Sequence, residues 1–115
     1  MITLLLLLAS AAHADWGLPN DLIVGKCACP TETFRGRAQQ TNGSAALTIW
    51  KVGTKRIVAV HQITREANDL IKDKLDFHRQ LFAEFTACPL GKDEPGHRAE
   101  VCVEKIEKLR WKKID

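Results

Sequence analysis

The alternation of apolar and polar positions is clearest between Thr31 and Thr64. Phe34, Gly36 and Ala38, then Leu47 and Ile49, then Val58 and Val60 recur at every second residue. A period of two is the signature of strands with one buried face. Two turn signals cut the stretch. Asn42-Gly43 suits a two-residue type I′ turn, and Gly53-Thr54 puts glycine where a type II′ turn needs positive φ. With two-residue loops, Ala38 faces Leu47 and Gly36 faces Ile49 across the first turn, while Leu47 faces Val60 and Ile49 faces Val58 across the second. This predicts a three-stranded antiparallel meander with all seven of those residues on one face. The other face carries Arg35 beside Trp50 and Ile57, and Arg37 beside Thr48 and Ala59, with His61 at its end.

The period changes after Thr64. On a helical wheel Ala67, Ile71, Leu75, Phe82 and Phe85 fall together, flanked by Leu70, Phe77 and Leu81. Glu66, Asp69, Asp73, Asp76, Gln80 and Glu84 form the opposite stripe. The pattern predicts a long amphipathic helix from Arg65 to Ala87, capped by Thr64, ended by Cys88-Pro89 and packed on the apolar face of the meander. Residues 89–97 are a loop by composition. Beyond them Ala99, Cys102, Val103, Ile106 and Leu109 share a helical face, although Ala99, Val101 and Val103 also alternate as a strand would. Glu, Lys and Leu favour the helical reading. Leu22-Ile23-Val24 reads as a short edge strand. The expected class is therefore α+β: a β-meander, a long helix on one face, a C-terminal helix and disulfide staples.

The apolar run Leu4–Ala9 followed by Ala12-His13-Ala14 reads as an export signal over residues 1–14, with no basic residue ahead of it. Residues 15–115 then form a single small secreted domain with no membrane span. In that setting Cys27, Cys29, Cys88 and Cys102 read as two disulfides. A Cys27–Cys29 bond would close a very small strained ring. One N-terminal cysteine therefore pairs with Cys88 and the other with Cys102; a Cys88–Cys102 bond beside a Cys27/Cys29 dithiol is the third arrangement.

Net charge is only +3 but unevenly placed. From Leu22 to Arg65 there are seven basic residues against the single acid Glu32, whereas Glu66 to Glu107 holds ten acids and six bases. Part of this asymmetry is complementarity between the meander and what packs on it. The remainder is a field suited to an acidic partner.

No glycine-rich phosphate loop, H-E-x-x-H motif or defensible nucleophile–base spacing occurs, and His61, His78 and His97 are scattered. The expectation is a non-enzymatic domain without cofactor or metal. Its candidate surface is Arg35, Arg37, Trp50, Ile57 and His61, where a guanidinium beside an exposed indole contributes about 0.5–1 kcal/mol. Aromatic-basic patches of this kind are enriched at interfaces. The competing reading is a second small core in which the N-terminal segment or the C-terminal helix, with Trp111, covers Trp50. The functional expectation is a secreted binding or inhibitory module facing an acidic macromolecule, with no sequence-specific nucleic-acid recognition. Two alternatives stand beside it: thiol redox or metal handling through Cys27-x-Cys29, and a structural accessory subunit of an envelope or extracellular complex.

Overall fold

Alternation from Glu32 onward builds three consecutive strands in the computed structural model, which describes residues 22–41, 47–91 and 98–114. The elements in chain order are β1 (Ile23–Val24), β2 (Glu32–Gln40), β3 (Leu47–Lys51), β4 (Ile57–Thr64), α1 (Arg65–Ile71), β5 (Arg79–Pro89) and β6 (Ala99–Lys113). The proposed signal segment lies outside the described residues.

The β3–β4 register is the expected one, with Ile49 opposite Val58 and Trp50 opposite Ile57. The connection differs. Lys51 N–H donates to Arg56 O at 3.0 Å and Thr54 N–H donates to Lys51 O at 3.1 Å, so residues 52–55 make the loop. Gly53 sits at φ 88°, one place later in the turn than expected. Between β2 and β3, Ala38 faces Ile49 and Gln40 faces Leu47, two residues away from the expected register. Asn42-Gly43 itself lies outside the described residues. A slip of two returns every side chain to its original face, so the buried set survives it.

The α+β expectation is overturned by the second half of the chain. The helix ends at Ile71, Arg79–Pro89 is a strand and Ala99–Lys113 is a strand. Within β5, Leu81, Ala83, Phe85 and Ala87 are buried while Phe82, Glu84 and Thr86 between them are not. This is a period of two in a segment rich in phenylalanine, which fits a pleated surface better than a helix. The wheel was misled because Phe82 and Phe85 stand three apart, which suits one helical face but places them on opposite faces of a strand. In β6 the cause is different. The β5–β6 register shifts once between Thr86 and Ala87 and again between Phe82 and Glu84. Each shift inserts a residue into β6, so the core-facing positions fall at Val103, Ile106 and Leu109. Two β-bulges thus reproduce the three-residue spacing of a helix. Lys108, at the second shift, adopts φ 57°.

The strands are ordered β1-β4-β3-β2-β5-β6, and β4 also pairs with β6. That last contact is parallel and closes a five-stranded barrel of β2, β3, β4, β6 and β5, with the short β1 added in parallel to β4 at Ile23–Ile63. The succession β5-β2-β3-β4 is a Greek key, and the whole is a five-stranded Greek-key barrel of the OB type. Closure leaves little free edge to pair with other chains. The inside is filled by Ala38, Leu47, Ile49, Val58, Val60, Ile63, Leu81, Phe85, Val103 and Ile106. Gly36 is inside as well, and a Cβ there would stand 2.6 Å from Ile49 Cγ2 and 2.9 Å from Phe85 Cδ2.

Between β4 and β5 the chain spends one short helix on the core. Thr64 caps it: its hydroxyl accepts from Ala67 N–H at 3.2 Å and donates to Glu104 O on β6 at 2.9 Å. Ala67, Ile71 and Leu75 enter the core, whereas Leu70 and Phe77, each 50% exposed, do not. At the N-terminal side, Cys27 bonds to Cys102 and Cys29 to Cys88. Cys88 and Cys102 face each other across β5 and β6, so the two disulfides staple the Cys27–Cys29 loop onto one spot of the barrel wall. Cys27 N–H also donates to Glu104 Oε1 at 2.8 Å.

Candidate functional site

Following hydrogen-bonded neighbours outward from Trp50 defines a row on the outer wall. Ile57 on β4 faces Trp50 on β3, Trp50 faces Arg37 on β2, Arg37 faces Phe82 on β5, and Phe82 faces Arg110 on β6. Yet β4 meets β6 directly at Val58–Ala99, far along β6 from Arg110. A stagger of that size means steeply tilted strands. The row therefore climbs along one flank of the barrel instead of circling it.

The side chains in the row are matched to one another. The Arg37 guanidinium carbon lies 4.8 Å from the Trp50 ring centroid, and that of Arg110 lies 5.2 Å from the Phe82 centroid. Both distances are within cation–π range. Trp50 Nε1–H donates to Thr54 O at 2.7 Å, so the four-residue loop fixes the orientation of the indole. Arg37, Trp50, Lys55 and Ile57 line a shallow depression. Trp50 and Phe82 are half-buried, Ile57 is 43% exposed and Arg110 is exposed. Arg37 Nε is buried with no hydrogen-bond partner, a rare state for a polar atom.

Two further cations are paired with carboxylates. Lys108 Nζ lies 3.4 Å from Glu84 Oε2, and Lys51 Nζ lies 2.9 Å from Glu32 Oε2 while covering the Phe34 ring at 4.7 Å. Arg37 and Arg110 are engaged with rings and with no carboxylate among the described residues.

Of the five residues expected to form the surface, the barrel brings together three: Arg37, Trp50 and Ile57. Arg35 is exposed one row away, between Val52 in the loop after β3 and Glu84 on β5, and it is Arg37 that packs on Trp50. His61 stands apart at the register shift of β4, with Nδ1 3.9 Å from Glu100 Oε2. Phe82 and Arg110 were not among the expected residues, because a helical reading of their segments places neither beside Arg37. The alternation of Leu81, Ala83, Phe85 and Ala87 was the available signal for Phe82. Trp111 faces Leu81 and packs against the core, so the expected cover of Trp50 by Trp111 does not occur.

No family model, curated protein or solved structure matches this chain. Function must therefore be argued from the wall itself, since a barrel of this architecture does not specify one.

A second feature is the barrel mouth, where Phe34, Val58 and Val101 floor a cleft of about 270 Å³ rimmed by Glu32, Lys51 and Arg56. Lys51 and Glu32 occupy each other across it. Among the described residues no cluster of histidine, cysteine and carboxylate side chains has the arrangement of a metal site, and no helix is long and apolar enough to cross a membrane.

Proposed function

We propose that this chain is an exported binding module that docks an acidic macromolecule on the flank bearing Trp50, Arg37, Phe82 and Arg110. The observation that carries the reading is the continuity of the row: aromatic and guanidinium groups alternate across β3, β2, β5 and β6 while neither guanidinium has a carboxylate partner among the described residues. Rings hold the guanidinium planes in place, so less side-chain entropy is lost when an anion binds. Export is supported by the two disulfides, which suit an oxidising, extracellular setting for a small domain. The competing thiol-redox or metal reading would need free thiols, and all four cysteines are bonded.

The test uses two chemically unrelated polyanions, heparin and polyglutamate, with binding measured at 50 and 200 mM NaCl. Binding to at least one should weaken with salt, and Arg37→Gln with Arg110→Gln should lower the affinity and flatten the salt dependence. Lys72→Gln with Lys74→Gln, beyond α1, serves as the control and should change neither. Equal loss from both pairs, or none from the row, would contradict a dedicated flank.

A further inference from the structure

We infer that the partner is a linear acidic polysaccharide, a chain of sugar rings bearing carboxylate or sulfate groups, laid along the row from Trp50 to Arg110; this rests on the flank being the binding surface. Three features of the wall select that class.

The first is width. The row is one side chain wide, and four strands spaced about 4.8 Å apart make it about 14 Å long from Trp50 to Arg110. One of its sides is bounded by the neighbouring row Arg35–Glu84–Glu107, in which Glu84 directly opposes Glu107. Arg35 and the Lys108–Glu84 pair leave that row close to charge-balanced, so it adds no excess of positive charge beside the strip. A globular acidic protein needs a patch of about 800 Å² on each partner, and a strip one side chain wide does not provide it. A single anionic chain fits the strip lengthwise.

The second feature is how the rings are used. Trp50 lies between Arg37 and Ile57, and Phe82 lies between Arg37 and Arg110, with a guanidinium over each ring. Single-stranded nucleic acids are held chiefly by bases stacking on free aromatic faces, and here a guanidinium already covers one face of each ring. The guanidinium N–H groups of Arg37 and Arg110, held by those rings and without a carboxylate among the described residues, suit bidentate contacts to carboxylate or sulfate.

The third feature separates a sugar chain from an acidic peptide. On the side away from Glu84, the next row holds Gln39 and Gln80, whose amides bond to each other at 3.0 Å, followed by Lys112. Neutral amides running beside the cationic row supply donors and acceptors for hydroxyl groups placed next to anionic ones. A polyuronate or sulfated glycan carries such hydroxyls along its whole length, whereas an acidic polypeptide has only its backbone to offer.

The test is a binding panel with the full mature chain against polygalacturonate, heparin, polyglutamate and poly(dT), matched in charge concentration. Polygalacturonate or heparin should bind at least tenfold more tightly than polyglutamate and poly(dT). Arg37→Gln with Arg110→Gln should abolish most of that preference, and Gln39→Ala with Gln80→Ala should lower glycan affinity severalfold while leaving polyglutamate affinity unchanged. Circular dichroism of each variant checks that it has folded, and Arg37→Lys keeps the charge if Arg37→Gln does not fold. Tighter binding of polyglutamate or poly(dT), still lost with the two arginines, would overturn the polysaccharide assignment and leave the flank standing. Binding of any polymer that ignores Arg37 and Arg110, or no binding at all, would overturn both.

Discussion

Gly36 is the residue whose replacement the barrel tolerates least per atom added. It lies at an inward position of β2, and a single methyl would meet both Ile49 and Phe85 at less than van der Waals separation. Phe85 also stacks on Phe34 with centroids 6.1 Å apart, so it has little room to retreat. Gly36→Ala should therefore destabilise by about 1–3 kcal/mol despite the better strand propensity of alanine, as read from denaturant unfolding. Trp50 lies at the other extreme. Half-buried on the outer wall and bonded to Thr54 O, it should cost about 1–2 kcal/mol as Trp50→Ala, well below the 3–5 kcal/mol of a core tryptophan. A loss of core size in the melting curve would mean that Trp50 belongs to a second core. At this scale the sequence is informative, because a side chain's face is set by parity alone. Phe34, Ala38, Ile49, Val58 and Val60 take their expected faces, and so do Arg37, Trp50 and Ile57. The partner of Trp50 was not legible. Exchanging Arg35 for Arg37 takes only a two-residue slip, which leaves no trace in the pattern of apolar positions.

Elements were legible where the period was undisturbed. β2, β3 and β4 pair with one another in unbroken register, whereas β6 carries two bulges that convert a period of two into steps of three. Its helix-like face is a consequence of barrel curvature, since bulges let a long strand bend around a narrow core. Lys108 gives a test whose sign separates the two readings. At φ 57° a β-branched residue is strained and glycine is not. Lys108→Val should thus lose about 1–2 kcal/mol while Lys108→Gly loses almost nothing. In a helix the order reverses, glycine costing about 1 kcal/mol and valine less. The missed transition at Ile71 has a similar origin. Ala67, Ile71 and Leu75 do enter the core at helical spacing, and nothing in the apolar pattern marks where that spacing gives way to alternation at Leu81.

At the scale of the molecule, two non-local features shape the barrel, and neither is written in a local pattern. One is the β2–β5 pairing, which joins the second half of the chain to the meander and, with β5–β6, brings Phe82 and Arg110 beside Arg37. The other is the pair of disulfides linking Cys27 to Cys102 and Cys29 to Cys88, with sequence separations of 75 and 59 residues. The cysteine count and the strain of a Cys27–Cys29 ring pointed to bonds of this kind without choosing between the two pairings. The chain-entropy model assigns loops of that length about 4 kcal/mol each, comparable with the whole stability of a small domain. Replacing Cys29 and Cys88 by serine should therefore shift the melting temperature by well over 10 °C, and an unchanged melting temperature would show that the barrel holds without its staples.

The central claim is that one flank, from Trp50 to Arg110, is the surface that meets an anionic chain. Its most direct test is a residue-resolved NMR footprint of the ¹⁵N-labelled protein titrated with polygalacturonate oligomers. The largest shifts should fall on the Trp50 indole N–H and on the signals of Arg37, Gln39, Gln80, Phe82 and Arg110, with α1 and the mouth residues Phe34 and Val101 unmoved. Shifts centred on the mouth, or on α1 and the Cys27–Cys29 loop, with the Trp50 indole unchanged, would contradict it.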